Sequence, residues 1–143
     1  MSDLYHTDFH AWTQEQAALL RNYDFNRLDV ENLSQEIEAL GQQKHELLVN
    51  CLEILLGNLL IWQYQPEARD NQRLDTIREQ RDRLQKSIER NPSFASELAD
   101  AIPEAYRNGV KIAMREGGAS SYLFPETCSY LPEEVIEDDF FPS

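Results

Sequence analysis

The chain is poor in the residues that build sheets, staples and phosphate loops. Of its 143 residues only two are cysteine, Cys51 and Cys128. Neither has a second Cys or His at ligand spacing, so there is no zinc pattern and no disulfide framework. The five glycines form no Walker-type loop and no dinucleotide fingerprint, and no G-x-S-x-G elbow occurs. β-Branched residues are scarce and apolar–polar alternation never persists, so no strand of useful length is expected. Positive charge is short as well: 13 Lys and Arg face 26 Asp and Glu, for a formal net charge of −13. Such a chain is pushed away from bare nucleic acid and anionic lipid unless its cations are gathered into one patch.

Long hydrophobic runs are also few. The most apolar stretch, ELLVNCLEILLGNLLIW, is interrupted by Asn50, Glu53 and Asn58. It falls short of the roughly 20 apolar residues that span a bilayer. The opening MSDLYHTDFHAW has neither a basic n-region nor an apolar h-region, so no signal peptide is expected there. These features together predict a cytoplasmic protein with no membrane partner.

What the chain does have is helical spacing. A first helix is expected from Thr7 or Asp8, either of which can cap it, to Arg21, burying Phe9, Trp12, Gln16, Leu19 and Leu20. A long helix capped by Asp29 follows, because no proline intervenes before Pro66. Its first half places Leu33, Ile37 and Leu40 on one face; its second half is apolar almost all round, the mark of a helix surrounded by others. Gly41 costs this helix about 1 kcal/mol relative to Ala and is a candidate break. A third helix over 71–90 carries Leu74, Ile77, Arg81, Leu84 and Ile88 as a narrow seam. Pro92 stops it and Ser93 can cap the next, in which Pro103 should kink or restart the ladder. There Ala101, Ala105, Gly109 and Ala113 recur every fourth position, a ridge that permits close helix approach. From Ala119 the periodicity fades while aromatics remain, which predicts a strap laid across the bundle.

Charge patterning supplies the candidate sites. Between Pro66 and Arg90 seven cations stand among six acids, so the segment is nearly neutral and self-paired, with Glu79–Arg83, Arg78–Asp82 and Asp82–Lys86 at helix-pairing spacing. A phosphate-tracking surface needs cations without local competitors, so nucleic acid is not an expected partner. Arg81 stands out because a cation in an apolar seam is costly unless an acid meets it. Glu53 is the matching oddity on the long helix, and the expected structural ion pair joins Glu53 to Arg81 or Arg78. The rival reading has Arg81 facing a protein partner. His6 and His10 lie four apart and are weak candidates for a metal site, since HTDFH lacks the glutamate of the zincin motif. Glu31, Glu38 and His45 lack the Glu-x-x-His pairs of di-iron bundles and read as a polar stripe. Cys128 has no histidine or basic cluster near it in sequence to activate it.

Several segments resemble one family in order and spacing: LYHTDFHAWTQEQAALLR, LDVENLSQEIEALG, WQYQPEAR, TIREQRDRL and FPETCSYLPEEVIEDDF. The chain is similar over nearly its whole length to the bacterial family called domain of unknown function 29 (DUF29). The resemblance implies an all-helical domain; it brings no activity, substrate or catalytic residue.

The sequence therefore predicts an all-α fold, an antiparallel helical bundle of four to five main helices with an irregular aromatic C-terminal strap. It is expected to be one domain over 1–143, with the bundle at 1–118 and the strap at 119–143. The expected role is a non-enzymatic protein-interaction module, an adaptor or regulator with no cofactor, whose partner is another protein or a second copy in a homodimer. Its expected interaction surface comprises Arg73, Arg81 and Arg83 with the acidic tail residues Glu133, Glu134, Glu137, Asp138 and Asp139. The alternatives are an antitoxin-like nucleic-acid-associated regulator and a carboxylate- or metal-dependent enzyme.

Overall fold

The computed structural model describes residues 3–143, and every regular element among them is helical. Six α-helices occur in chain order: α1 Leu4–Thr7, α2 Phe9–Arg21, α3 Val30–Tyr64, α4 Asn71–Arg90, α5 Phe94–Gly117 and α6 Pro132–Ile136. Four of them are long, and the fold is an all-α helical bundle. By its internal contacts the chain divides into two compact units, Met1–Lys44 and His45–Ser143. The boundary falls inside α3. The expected strap belongs to the second unit.

In the first unit, side chains set the helix starts. Asp8 accepts from the Ala11 N–H at 3.1 Å and opens α2. Asp29 accepts from the Asn32 N–H at the start of α3, as the sequence indicated. Trp12, Gln16 and Leu19 are buried on α2, but Phe9 and Leu20 are 47% and 46% exposed. That departs from the expected stripe. A lone pair of helices has room to enclose only one flank of each, so residues at the edge of the stripe stay wet.

Helix α3 runs through Gly41 without a break. By length and composition alone it is able to cross a membrane, with an 18-residue window of mean hydropathy 1.4; half of that window is buried within the chain. The buried part is the hub of the second unit: Leu48, Leu52, Leu55, Leu56, Leu59, Leu60 and Ile61 are all at most 2% exposed. The ridge on α5 meets this hub. A Cβ on Gly57 would stand 2.9 Å from the Gly109 carbonyl oxygen, and one on Gly109 would stand 3.1 Å from Leu56 Cβ. The two backbones approach so closely that only glycine fits at the crossing.

Other elements follow or correct the sequence reading. Asp70 caps α4 through the Arg73 N–H at 2.7 Å. Ser93, in contrast, makes no side-chain cap; it stands at φ −62°, ψ −20°, already helical rather than in the extended conformation of a capping residue. Pro103 does not restart α5, and the helix continues to Gly117. Gly118 then closes it at φ 72°, donating its N–H to the Met114 carbonyl. In the tail Phe124, Tyr130 and Val135 are buried, whereas Tyr122 is 96% exposed and Leu123 and Leu131 are partly so. The strap is held at intervals rather than along its length.

Candidate functional site

The sequence marked Arg81 as a cation in an apolar seam, and the structure buries it completely between Ile77 and Leu84. Its partner is not Glu53. The Arg81 Nε–H donates to the Val135 carbonyl at 2.9 Å, and its terminal nitrogens donate to the carbonyls of Glu134 at 3.3 Å and Asp138 at 3.4 Å. The Phe141 ring lies 5.2 Å from the guanidinium carbon. The Glu134 and Val135 carbonyls belong to the last turn of α6, and Asp138 lies just beyond it. The Glu134 carbonyl also accepts from the Glu137 N–H, so the planar cation adds to the capping of the short helix and anchors the tail. Burial pulls the Arg81 pKa down from its ordinary value, while Asp138 and then Glu137 act in the opposite sense.

Glu53 instead accepts from the Asn108 side-chain amide at 2.8 Å. Arg78 is exposed. The expected ion pair is thus replaced by two separate solutions: a neutral amide suffices for the half-buried Glu53, and backbone dipoles satisfy the fully buried cation. This also removes Arg81 from any accessible contact surface.

The remaining members of the expected interaction surface are also engaged in part. Arg73 donates to Asn58 at 2.7 Å and to the Ala68 carbonyl at 3.2 Å. Arg83 pairs with Glu79 at 2.7 Å, and Lys86 with Asp82 at 3.0 Å, as helix spacing predicted. Asp138 accepts from the Gln85 side chain, and Glu134 accepts from the Leu131 N–H. Glu133, Glu137 and Asp139 remain exposed. Of the expected surface, Arg81 is thus bound to the backbone of the tail, Arg73 to Asn58 and the Ala68 carbonyl, and Arg83 to its own helix, while Glu133, Glu137 and Asp139 stay exposed.

Other candidate groups are not assembled for chemistry. His6 lies in α1 and His10 in α2, both exposed, and the intervening Asp8 is spent as a cap. Among the described residues no group of three or more His, Cys, Asp or Glu side chains is arranged to hold a metal ion. His45 approaches Glu97 at 3.6 Å, a pairing that linear spacing gave no sign of. Burial pushes the thiol pKa values of Cys51 and Cys128 up, which suits structural thiols rather than nucleophiles. Tyr106 is pushed up to about 12 by burial and donates its hydroxyl to the Pro125 carbonyl at 2.6 Å. Tyr130 likewise donates to Gln63 at 2.8 Å.

The surface that sequence reasoning missed lies in the first unit. Helices α2 and α3 are tied along one edge by polar contacts. Trp12 Nε1–H donates to Asp29 at 3.1 Å, the Asp29 N–H donates to the Gln16 side-chain carbonyl at 2.9 Å, and Tyr5 O–H donates to Glu36 at 2.6 Å. Asn32 completes the cluster with a 2.8 Å bond to Asp29. That bond is the main reason the Asp29 carboxyl is held below its usual range; burial opposes it and the Trp12 bond adds to it. Edge-on contacts of Tyr5 with Trp12 at 4.8 Å and with Phe9 at 5.8 Å extend the cluster. Above this polar edge the two helices leave an open groove of about 470 Å³, walled by Phe9, Ala17, Leu20, Leu33, Ile37 and Leu40. Ile37 and Leu40 are 66% and 60% exposed. Their spacing with Leu33 was visible in the sequence as an amphipathic face; that no described residue of the unit covers it was not.

The family described as Domain of unknown function DUF29 matches residues 4–141, which takes in nearly all of both compact units. No curated protein and no solved structure matches the chain.

Proposed function

The chain belongs to the DUF29 family, and on that premise we propose that it is a non-enzymatic protein-interaction module, an adaptor or regulator that works through the α2–α3 groove. The observation that carries this reading is the unpartnered apolar face itself. Leu20, Ile37 and Leu40, each about half exposed or more, stand together beside Phe9 on a firmly tied pair of helices. Contiguous exposed apolar surface on a chain this charged is costly to solubility unless something covers it. Amphipathic helix faces of this kind take another helix into the groove, with anchors at i, i+3, i+4 and i+7. Leu33, Ile37 and Leu40 keep that register. A cytoplasmic setting accords with the net charge of −13, which keeps the free molecule dispersed.

The test is position-specific photo-cross-linking in growing cells. A photoactivatable amino acid at Leu40 should yield a discrete protein adduct, while the same residue at Glu38, pointing away from the groove, should yield none. No adduct at Leu40, or equal labelling at both positions, contradicts the reading.

A further inference from the structure

We propose that the groove between α5 and the C-terminal strap, wholly within the second unit, binds a small amphipathic carboxylic acid with a flat apolar body and a single carboxylate. It shares no residue with the α2–α3 groove, and each site stands or falls without the other.

The groove has the size and lining of a ligand pocket. The Ser121–Leu123 turn of the strap lies against α5 and leaves a concavity of about 670 Å³ beside it. Pockets that enclose small ligands run from about 300 to 1,000 Å³. Tyr106 and Phe124 line it from the buried core, Val110 and Met114 are half-buried there, and Tyr122 stands 96% exposed beside them. Phe124 and Tyr130 of the same strap are packed into the core, so Tyr122 is aromatic surface left out of the chain's own packing. A flat apolar body stacks on such a ring while covering Val110 and Met114.

Charge fixes the sign of the ligand. Arg107 and Lys111 line the same groove one turn apart on α5. Among the described residues neither makes an ion pair or a hydrogen bond, whereas Arg73, Arg81, Arg83 and Lys86 are all bound within the chain. Glu126 is the acid in the lining. Two cations and one acid leave the groove with one positive charge, on a chain of net charge −13. A monoanion neutralises it. A neutral body leaves both cations unpaired, and a phosphate dianion brings surplus negative charge up to Glu126. The planar Arg107 fork suits a carboxylate in two parallel bonds, and Lys111 adds a point charge. Repulsion from acids elsewhere on the chain is screened beyond about 8 Å at physiological salt.

A peptide suits the groove less well. Peptide strands are held through open main-chain groups. Here the Pro125 carbonyl is taken by the Tyr106 hydroxyl at 2.6 Å and the Ser121 carbonyl by the Phe124 N–H at 3.2 Å.

Titration of the full chain with sodium naphthoate, followed by methyl NMR, tests the site. The probe should shift the Val110 and Met114 methyl signals saturably and leave those of Ile37 and Leu40 unmoved. Naphthamide, the same body without the charge, should bind about tenfold more weakly, the loss expected for contact with two partly exposed cations. Changing Arg107→Gln and Lys111→Gln together should abolish that preference, while Tyr122→Ala should weaken both probes alike. All three positions are exposed, so the far-UV circular dichroism should not change. If the double variant loses helicity, Lys111→Gln alone replaces it and should narrow the preference. Equal binding of acid and amide overturns the assignment, as does a preference that survives the loss of both cations. No saturable shift at millimolar naphthoate, or shifts at Ile37 and Leu40 alone, overturns it too. Naphthyl phosphate binding more tightly than naphthoate overturns the carboxylate.

Discussion

Arg81 shows how a buried cation is tolerated without a carboxylate in contact. Its guanidinium spends three donors on tail carbonyls and lies over Phe141. The oddity of this residue was legible in the sequence, because Ile77 and Leu84 flank it at seam spacing. Its partners were not, since backbone carbonyls in an aperiodic tail leave no mark on side-chain pattern, and the search for an acid led to Glu53. Arg81→Leu should cost on the order of 3 kcal/mol, because the buried Val135 carbonyl loses its side-chain donor and the Glu134 carbonyl is left with the Glu137 N–H alone. Arg81→Lys keeps the charge but not the planar fork and should recover only part of the loss. Denaturant unfolding midpoints at unchanged slope would measure both. Asp29 gives a pH prediction at the same scale. Its pKa is depressed in the folded chain, so its contribution is fully present above the ordinary carboxylate pKa and is lost as pH falls through the depressed value. Trp12→Phe removes one of the bonds responsible. NMR titration should then find the Asp29 pKa shifted up towards the usual value, and the variant should lose less stability than the parent on acidification.

At the scale of elements, the glycines of α3 separate propensity from packing. A Cβ added at Gly41 would meet nothing within 4 Å, whereas one at Gly57 would be driven into the Gly109 carbonyl. Gly41→Ala should therefore raise stability by about 1 kcal/mol through helix propensity alone. Gly57→Ala gains the same propensity yet should lower stability by about 1–3 kcal/mol, because rigid backbone has to move. Paired thermal or urea unfolding of the two variants checks the opposite signs. The α5 side of this crossing was legible as the four-residue repeat of Ala101, Ala105, Gly109 and Ala113. Its counterpart, Gly57, sat unremarked within a leucine-rich run, since a single small residue has no period. Ser93 and Pro103 fell outside sequence rules for a related reason: the rules give what a residue can do, and the local backbone decides whether it does so.

For the whole molecule, periodicity was enough to establish helices, their order and the central place of the second half of α3 in its unit, although Leu47, counted in that hub, is 60% exposed. The two compact units meet inside α3, which passes through the boundary with no proline and no loop, so spacing alone does not mark it. The apolar groove was half legible for the same reason. Leu33, Ile37 and Leu40 announce a face, but sequence spacing carries no information on how much of that face a short neighbour such as α2 covers. The proposed role places another protein chain on this face. Methyl NMR with a soluble paramagnetic relaxation agent reads this directly. The Ile37 and Leu40 methyl signals should be strongly relaxed in the isolated chain and shielded in the complex recovered from cells, with the Leu52 methyl groups shielded in both. Equal, strong relaxation of Ile37 and Leu40 in both samples would contradict the proposed role.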